Sequence, residues 1–316
     1  MPDGVPLVRC EGLRKRYGRV RALDGLDLEL GRGAPIALVG PNGAGKTTLL
    51  SLLAGFVRPG GGTVRVLGER PGSARLAGRL GALPQDALFD PGLSVGHQLR
   101  VLAGLQGFGR GAARVEVARA LDAVGLEGVS GQRPTALSHG MRKRVAFAQA
   151  LLGEPELVLL DEPTAGIDPE NARAIRELIV ARGGADGPGT TFLVSSHNLD
   201  ELERLCGSVV QLERGALVRH EALAPGDAAR REAAPGADDD TLTVRLAEVP
   251  PEAFAEAAGA LAAVRSLRRL ADGDWRLQVD DPGVAAESLL ALLRERGWHW
   301  RRLTRGRSLE ERLYGD

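Results

Sequence analysis

Cysteine, lysine and aromatic residues are all scarce in this chain of 316 residues. The two cysteines, Cys10 and Cys206, lie far apart without metal-ligand spacing, which excludes a disulfide framework and indicates a reducing compartment. No window approaches 18 uninterrupted apolar residues, and the N-terminal stretch lacks a basic segment followed by an apolar core. We therefore expect a cytosolic protein that neither enters nor crosses a membrane by itself.

Neither sign of charge is in excess, since 41 basic residues balance 41 acidic ones. No basic stripe interleaved with aromatic residues is present, so we expect no nucleic-acid partner. Only Lys15, Lys46 and Lys143 are lysines, and every other basic residue is an arginine. Because the two cations are not interchangeable, a lysine retained against this background suggests a chemical requirement.

The length favours two domains, and the hydrophobic patterning indicates where they lie. Residues 1–225 alternate short apolar runs with helical patterns, as a mostly parallel α/β sheet does. Helix-like spacing with few strand signals predicts a helical insertion at about residues 86–153. Residues 226–240 are rich in Ala, Gly, Pro and Asp and indicate a linker. Residues 241–316 follow the order βαββαβ, which predicts a small α+β ferredoxin-like domain.

Individual elements can be predicted in the first domain. The expected strands cover residues 7–11, 22–30, 35–39, 157–160, 192–195 and 209–212, and the expected first helix covers residues 47–53. In the second domain, Trp275, Trp298 and Trp300 could mark a partner-binding surface, although packing in the core or at a sheet edge is the alternative that their size favours.

Nine residues after the apolar run 35–39 fit the pattern G-x-x-x-x-G-K-[ST] and open a helical pattern. They are Gly40, Pro41, Asn42, Gly43, Ala44, Gly45, Lys46, Thr47 and Thr48. Glycines let backbone N–H groups curl around phosphates, and the helix N-terminus adds its positive end there. Lys46 would neutralise the β- and γ-phosphates of a nucleotide, and Thr47 would offer its hydroxyl to Mg²⁺. A plain glycine-rich turn is the alternative, and the strand–turn–helix context favours phosphate binding.

Two acidic residues follow the apolar run 157–160, where open α/β sheets bind their ligands. Asp161 is the candidate Mg²⁺ ligand of the second P-loop NTPase motif. Glu162 is the candidate general base for the attacking water, and we expect it to point away from Asp161 because side chains alternate along a strand. Either acid alone could be an ordinary solvated strand end.

Taken together and in this order, the motifs resemble the ATPase domain of ABC proteins over about residues 5–225, an α/β P-loop NTPase fold with a helical insertion. The segment Leu137 to Met141 lies where that family has its LSGGQ signature, and it opens a helix expected over residues 142–152. In the family this segment binds the γ-phosphate of ATP held by the opposite subunit. Ser138 and Gly140 match the pattern, whereas His139 and Met141 depart from it and put the strength of the contact, and so the turnover rate, in question.

The resemblance also implies roles for residues that would be uninformative alone. Gln85 resembles the glutamine that touches Mg²⁺ and the lytic water, and His197 resembles the switch histidine that contacts the γ-phosphate. The segment ending at Asp168 resembles the D-loop at the dimer seam. Tyr17 resembles the aromatic residue that stacks on adenine, and a packed core edge is its alternative.

The family also suggests the cofactors, the partners and the location. ATP and Mg²⁺ would be the cofactors, and two copies would close head to tail around two nucleotides. Separate integral-membrane permease subunits would dock on the helical insertion and the Gln85 loop, which places the chain on the cytoplasmic face of the membrane. The signature region and the ending from Ser308 to Tyr314 resemble exporters of the ABC-2 type. Two alternatives stay open: a soluble ABC ATPase acting on DNA or ribosomes, and a regulatory ATP-binding module with little hydrolysis.

Overall fold

A computed structural model describes most of the chain, which forms two compact units, Met1–Gly226 and Asp227–Asp316. The described residues are 5–183, 189–223, 240–247, 249–270 and 273–305, except the side chains of residues 302, 304 and 305. Of the expected linker 226–240 only residue 240 is described, and the ending from Ser308 to Tyr314 lies outside the described residues. None of the helices in the described part of the chain has the length and apolar character needed to cross a bilayer.

The first unit combines nine strands with six helices among its described residues. The strands are β1 (Val8–Tyr17), β2 (Val20–Leu30), β3 (Ile36–Val39), β4 (Gly61–Val66), β5 (Leu80–Leu83), β6 (Leu157–Asp161), β7 (Thr191–Ser195), β8 (Ser208–Glu213) and β9 (Ala216–Ala222). The helices are α1 (Lys46–Leu53), α2 (Val95–Leu105), α3 (Arg110–Ala123), α4 (His139–Ala150), α5 (Pro169–Arg182) and α6 (Leu199–Leu205). Residues 86–153 contain α2, α3 and α4 and no strand.

Two sheets share the first unit. The larger sheet has the order β5-β6-β7-β3-β8-β9, and all neighbours are parallel except β8 and β9. The smaller sheet has the antiparallel order β2-β1-β4. Register in the larger sheet places Ser195 opposite both Leu38 and Asp161. The carboxyl ends of β3, β6 and β7 therefore meet at one edge.

The apolar runs explain this arrangement. Strands β3, β6 and β7 are buried at every position, as expected for parallel strands covered on both faces. Helix α1 buries Leu49, Leu50, Leu52 and Leu53 in a core that also holds residues of both sheets. Burial of each leucine stabilises the fold by about 1.5–3 kcal/mol. The start of α1 is thereby held against the edge where the strands end.

Most elements expected from the sequence of the first unit are confirmed, but three strands were missed. Strand β4 begins with two glycines, which are unfavourable within strands. Strand β5 has only four residues, one of them glycine. Strand β9 is partly exposed and carries charged side chains, so its apolar pattern is weak. Each of these strands is stabilised by its neighbours in the sheet more than by its own composition.

The second unit has the predicted βαββαβ order. Its elements are β10 (Thr241–Ala247), α7 (Pro251–Gly259), β11 (Val264–Arg269), β12 (Trp275–Val279), α8 (Pro282–Glu295) and β13 (His299–Arg305). The sheet order is β11-β12-β10-β13 and every pair is antiparallel. This is the strand order of a ferredoxin-like unit, so the fold class expected from the sequence is confirmed in both units.

Aromatic packing holds the core of the second unit. Phe254 is fully buried, and its ring centroid lies 5.1 Å from that of Trp275 and 6.3 Å from that of Trp298. Trp300 is 36% exposed on β13. Trp275 is therefore buried in the core, Trp298 packs against it while partly buried, and Trp300 is exposed.

This packing generates a prediction about the second unit. Phe254→Ala should destabilise it by about 3–5 kcal/mol, because the cavity left between two tryptophans cannot close completely. All three tryptophans belong to this unit, so their fluorescence reports on it alone. We expect the thermal midpoint of tryptophan fluorescence to fall by at least about 10 °C. Binding of a fluorescent ATP analogue should persist at temperatures where this unit has melted.

The matched control is Val284→Ala on α8, because Val284 is 56% exposed and its truncation should leave the midpoint nearly unchanged. Loss of nucleotide binding together with the fluorescence transition would show that the two units unfold as one.

Candidate functional site

A cavity of about 280 Å³ opens where the parallel strands of the first unit end. It is lined by residues that follow β3, β5, β6 and β7, together with two residues of β2. The lining residues are Val20, Ala22, Asn42, Gly43, Ala44, Gly45, Lys46, Thr47, Thr48, Gln85, Asp161, Glu162 and His197. Every residue expected to act in catalysis is thus brought to one cavity, from segments up to about 150 residues apart in the sequence.

The loop between β3 and α1 requires glycine at two positions where the chain approaches its neighbours closely. Gly45 has φ of 106°, and a Cβ there would lie 2.5 Å from the carbonyl oxygen of Ala22. Gly40 has φ of 149°, and a Cβ there would overlap the carbonyl oxygen of Leu212. Because α1 begins at Lys46, its first N–H groups have no acceptor within the helix. The loop therefore offers hydrogen-bond donors and the positive end of a helix to an anion.

The side chain of Lys46 folds back over this loop. Its Nζ donates hydrogen bonds to the carbonyl oxygens of Gly40, at 2.5 Å, and Pro41, at 3.2 Å. Burial lowers the pKa of Lys46, while the nearby carboxylates of Glu162 and Asp161 oppose that shift. Two neutral carbonyls compensate a buried ammonium incompletely, so this cation is available to a phosphate group.

A hydroxyl group organises the two acidic residues at the end of β6. Ser195 Oγ donates a hydrogen bond to Asp161 Oδ1 at 2.6 Å and accepts one from the Glu162 N–H at 3.1 Å. The Glu162 N–H also lies 3.1 Å from the Ser195 carbonyl oxygen. All three residues are buried. Ser195 therefore fixes both the carboxylate of Asp161 and the backbone of Glu162.

The orientation expected for Glu162 is wrong. Strand β6 ends at Asp161, and Glu162 adopts the left-handed backbone conformation with φ of 51°. Strand alternation therefore no longer applies, and both carboxylates line the same cavity. A left-handed conformation is uncommon and unfavourable for a residue with a side chain, and it persists here because Ser195 anchors the Glu162 N–H.

The side chains of Glu162 and His197 lie next to each other in the lining of the cavity. His197 Nε2 lies 3.1 Å from Glu162 Oε1, close enough for an ion pair but without the alignment of a hydrogen bond. Burial raises the pKa of Glu162, and the charge of His197 opposes this shift. Glu162 is only 4% exposed, whereas the side chain of His197 is largely open to solvent. A buried carboxylate with a raised pKa is suited to accept a proton from water.

Tyr17 lies at the end of β1, outside the residues that line the cavity. It is 47% exposed, and Lys15 Nζ lies 5.1 Å from the centre of its ring. Its partner across the β1–β2 hairpin, Val20, does line the cavity. Tyr17 is thus a surface residue beside the site and not a packed core edge, and its contact with adenine stays a prediction.

The signature segment, residues 137–141, begins α4 three residues earlier than expected. Ser138 is the N-cap of this helix, and its Oγ accepts a hydrogen bond from the Met141 N–H at 3.2 Å. This capping bond explains why the helix starts at His139. Neither Ser138 nor Gly140 lines the cavity of its own chain.

Gly140 packs directly against Asn171 of α5. The approach is so close that a Cβ at Gly140 would overlap the side-chain amide of Asn171. Asn171 Nδ2 donates a hydrogen bond to Asp168 Oδ2 at 2.6 Å, and the Asn171 N–H donates to Asp168 Oδ1 at 3.0 Å. Asp168 is the N-cap of α5 and the last residue of the expected D-loop. Asn171 therefore links the signature segment to Asp168 within one chain.

Comparison with known proteins agrees with this geometry. The family model described as ABC transporter matches residues 23–165. The chain is 32% identical over 294 residues to the daunorubicin/doxorubicin resistance ATP-binding protein DrrA of Streptomyces peucetius, an alignment covering 91% of this chain and 85% of DrrA. It belongs to the ATP-binding proteins of ABC transporters. We therefore call it an ABC ATPase, after the family.

Other relatives of this ABC ATPase differ in the extent of the match. It is 37% identical over 213 residues to the Nod factor export ATP-binding protein I of Ralstonia nicotianae, which covers 67% of this chain and 65% of that protein. It therefore spans less than two thirds of the length of that relative. It is 36% identical over 249 residues to the nickel import ATP-binding protein NikO of Rhodobacter capsulatus, which covers 70% of this chain and 97% of NikO.

A solved structure shows the same fold. The dimeric ATP-binding cassette MJ0796, in a post-hydrolysis state bound to ADP and Pi, matches the ABC ATPase with a TM-score of 0.62 and 23% identity. The match covers 69% of this chain and 99% of that cassette. The alignment with DrrA spans 294 residues and so extends beyond the first unit into the second.

Sequence reasoning missed three residues around the site of this ABC ATPase. Val20 and Ala22 line the cavity, and the only sequence signal for them is their closeness to Tyr17. Ser195 immediately precedes the Ser-His pair, so a polar residue ending a buried strand was a usable signal. Its contact with Asp161, 34 residues away, depends on the pairing of β6 and β7 and cannot be derived from the local pattern.

The hydrogen bonds of Ser195 generate a prediction. Ser195→Ala should lower ATP turnover by at least about tenfold, because the Asp161 carboxylate loses a charge-assisted hydrogen bond worth about 1.5–3 kcal/mol. The affinity for ATP without divalent cations should stay within about twofold, and the Mg²⁺-dependent gain in affinity should shrink. Titration with a fluorescent ATP analogue, with and without Mg²⁺, measures both.

Ser196→Ala is the matched control. Ser196 is also buried, but its Oγ accepts only a backbone hydrogen bond from the Asn198 N–H at 3.1 Å, away from both carboxylates. We expect this variant to keep the Mg²⁺ dependence of the parent. If Ser195→Ala also kept the Mg²⁺ dependence of the parent, the Ser195 hydroxyl would have no part in positioning Asp161.

Proposed function

We propose that this chain is the ATP-hydrolysing subunit of an ABC exporter, acting as a dimer on separate permease subunits at the cytoplasmic face of the membrane. The observation that carries the proposal is the convergence of a phosphate-type loop, two acidic residues, a glutamine and a histidine on one cavity. Membership of the ABC transporter ATP-binding proteins supports a role in transport. The names of the Nod factor export protein and of DrrA favour export, whereas NikO serves import.

ATP would be held by the loop from Gly40 to Thr48. Its fit rests on two features of the structure: glycines where a Cβ would overlap the backbone, and an ammonium group of Lys46 that contacts only carbonyl oxygens. The N–H groups at the start of α1 would contact the phosphates, and Lys46 would neutralise their charge. Val20 lines the end of the cavity next to Tyr17, which supports stacking of adenine on that ring.

Mg²⁺ would be held by Thr47, Gln85 and Asp161, all of which line the cavity. Within the described residues, no group of three or more His, Cys, Asp or Glu side chains is arranged to hold a metal ion. The remaining ligands would therefore be phosphate oxygens and water, as is usual for this ion in nucleotide sites. When bound, the ion would neutralise charge developing on the transferred phosphoryl group.

Hydrolysis would depend on Glu162 and His197. Glu162 would accept the proton of the attacking water, since its raised pKa and buried position suit a general base. His197 contacts the Glu162 carboxylate and would donate a hydrogen bond to the γ-phosphate. Gln85 would orient the water from the opposite side of the cavity. A regulatory module with little hydrolysis is less well supported, because it would not need a carboxylate held at this position.

A single chain would not complete a catalytic site. Ser138 and Gly140 lie outside the cavity of their own chain, so they would serve the nucleotide of a second copy. Ser138 and the N–H groups at the start of α4 would bind its γ-phosphate. His139 and Met141 replace family residues in this segment, and we expect them to change the turnover rate more than the binding of ATP. The dimeric cassette MJ0796 supports the closed arrangement.

The surface near Gln85 suits a membrane partner. Four apolar side chains between Gln85 and the end of α2 are exposed to solvent: Leu88, Leu93, Val101 and Leu105. Leu88 is 91% exposed and lies three residues after Gln85. Exposed apolar groups next to a catalytic loop favour docking of a protein segment, and we assign that segment to a permease. A soluble ABC ATPase acting on DNA or ribosomes would leave this surface without a use.

The general base can be tested by substitution. Glu162→Gln should bind ATP like the parent but hydrolyse it at least about 100-fold more slowly, because the amide cannot accept the proton. An ATP-dependent dimer should then accumulate and be measurable by light scattering after gel filtration. The control carries Lys46→Ala in the same background and should neither bind ATP tightly nor dimerise. Turnover at the parental rate in Glu162→Gln would show that another group is the base.

The partner can be tested in the native cell. Tagged Glu162→Gln protein, solubilised from membranes in the presence of ATP, should copurify with a stoichiometric polytopic membrane protein identified by mass spectrometry. Adding Leu88→Asp should abolish this recovery, whereas Val115→Asp, at an apolar position on α3 that is 72% exposed, should preserve it. Recovery of ribosomes or DNA-bound proteins would support the soluble ABC ATPase instead.

A further inference from the structure

All three lysines of the chain lie around the nucleotide site, although arginine supplies every other basic side chain. Lys46 belongs to the phosphate loop, and Lys15 lies over the ring of Tyr17. Lys143 belongs to α4, and it does not line the cavity. The site described above leaves Lys143 without a role.

Lys143 connects two segments that are distant in the sequence. Its Nζ donates a hydrogen bond to the carbonyl oxygen of Gln85 at 3.0 Å, across 58 residues of chain. Gln85 follows β5 and lines the cavity, whereas Lys143 stands five residues after Ser138 on the helix that the signature segment begins. Five residues correspond to about 7.5 Å along a helix. One hydrogen bond thus joins the Gln85 loop, residues 81–86, to the helix that presents the signature segment.

Three carboxylates lie near the ammonium group of Lys143. The side chain is partly buried, and burial lowers the pKa of Lys143 while the carboxylates of Asp86, Asp161 and Glu162 oppose that shift. The ammonium group can donate to one carbonyl and remain close to several carboxylates. The hydrogen bond is charge-assisted and therefore stronger than one between neutral groups.

We propose that Lys143 is a positioning residue that ties the Gln85 loop to α4, so that ATP bound by one chain sets the position of the signature segment that the same chain presents to its partner. The proposal rests on the dimer of the proposed function. In this arrangement, nucleotide bound in the cavity displaces Gln85 of the same chain. The hydrogen bond from Lys143 to the Gln85 carbonyl then transmits the displacement of the Gln85 backbone to α4. The signature segment then moves as a rigid extension of that helix. The two nucleotide sites of the dimer become coupled without any contact between Lys143 and a nucleotide.

The tether itself can be measured without a dimer, by hydrogen exchange of the full chain at a dilution where it is monomeric. In the parent, ATP with Mg²⁺ should slow exchange in peptides covering residues 81–86 and also in those covering residues 137–141. In Lys143→Met, protection should remain restricted to the phosphate loop, and exchange in residues 81–86 should be faster before nucleotide is added. Lys143→Arg, which retains a donor and a positive charge, should restore protection in residues 137–141.

Arg144→Met is the matched control. Arg144 is the adjacent cation on α4, and its Nη1 donates to the carbonyl oxygen of Val124 at 3.2 Å, within the helical insertion. In Arg144→Met, we expect ATP to slow hydrogen exchange in residues 137–141 as it does in the parent. The same protection in Lys143→Met would overturn the proposal, as would equal loss in both variants, because the effect would then be general loosening of α4.

Steady-state kinetics provide the second readout. In Lys143→Met, kcat should fall by about tenfold and the Hill coefficient for ATP should fall to about 1, whereas the affinity of the monomer for a fluorescent ATP analogue should stay within about twofold. A parallel loss of affinity and kcat would instead place Lys143 in the nucleotide site and contradict the tether. A parent that does not hydrolyse ATP would refute the proposed function, while the hydrogen-exchange comparison would still decide whether the tether exists.

Discussion

The register between three neighbouring parallel strands determines where chemistry can occur in this molecule. Ser195 on β7 stands opposite Leu38 on β3 and opposite Asp161 on β6, so the three strands end at the same level. The β3–α1 loop, Glu162 and His197 come after those strand ends, and Asp161 is the last residue of β6. A shift of one residue would move Ser195 away from Asp161 and reverse the faces of all its neighbours in β7. The fully buried apolar side chains of these strands hold the register, and the catalytic geometry depends on them.

Charge is concentrated at this edge and only partly balanced within the chain. The carboxylates of Asp161 and Glu162 share the cavity with the ammonium of Lys46, whose partners are two backbone carbonyls. Burial raises the pKa of Glu162 and lowers that of Lys46. The charged form of each group is therefore less stable here than in water. A polyphosphate with its cation would satisfy both signs of charge at once. The same edge contains the left-handed backbone of Glu162, so both strain and unbalanced charge are located where the reaction would take place.

Much of this site could be predicted from the sequence, because many of its polar and charged residues lie in short contiguous motifs. Lys46, Thr47, Asp161 and Glu162 follow apolar runs that end in loops, and the parallel sheet brings such loops together without further information. Gln85, His197 and the signature residues became interpretable only through resemblance to a family, since a single glutamine or histidine carries little signal. What could not be predicted is non-local: the Ser195 bond to Asp161, the contact of Asn171 with Gly140, and strands such as β4 that are stabilised by their neighbours. The orientation of Glu162 was predicted incorrectly because the left-handed backbone conformation of this residue breaks the alternation of side chains that holds along the strand.

In the proposed mechanism, one chain binds ATP but two chains are required to hydrolyse it. The most direct measurement is the specific ATPase activity of the purified chain over a wide range of protein concentrations, with ATP saturating and Mg²⁺ in excess. We expect activity per chain to rise with concentration and then level off, while one ATP binds per chain at every concentration. Specific activity that stays constant down to concentrations where light scattering shows only monomers would contradict it, because the cavity of a single chain would then be a complete catalytic site.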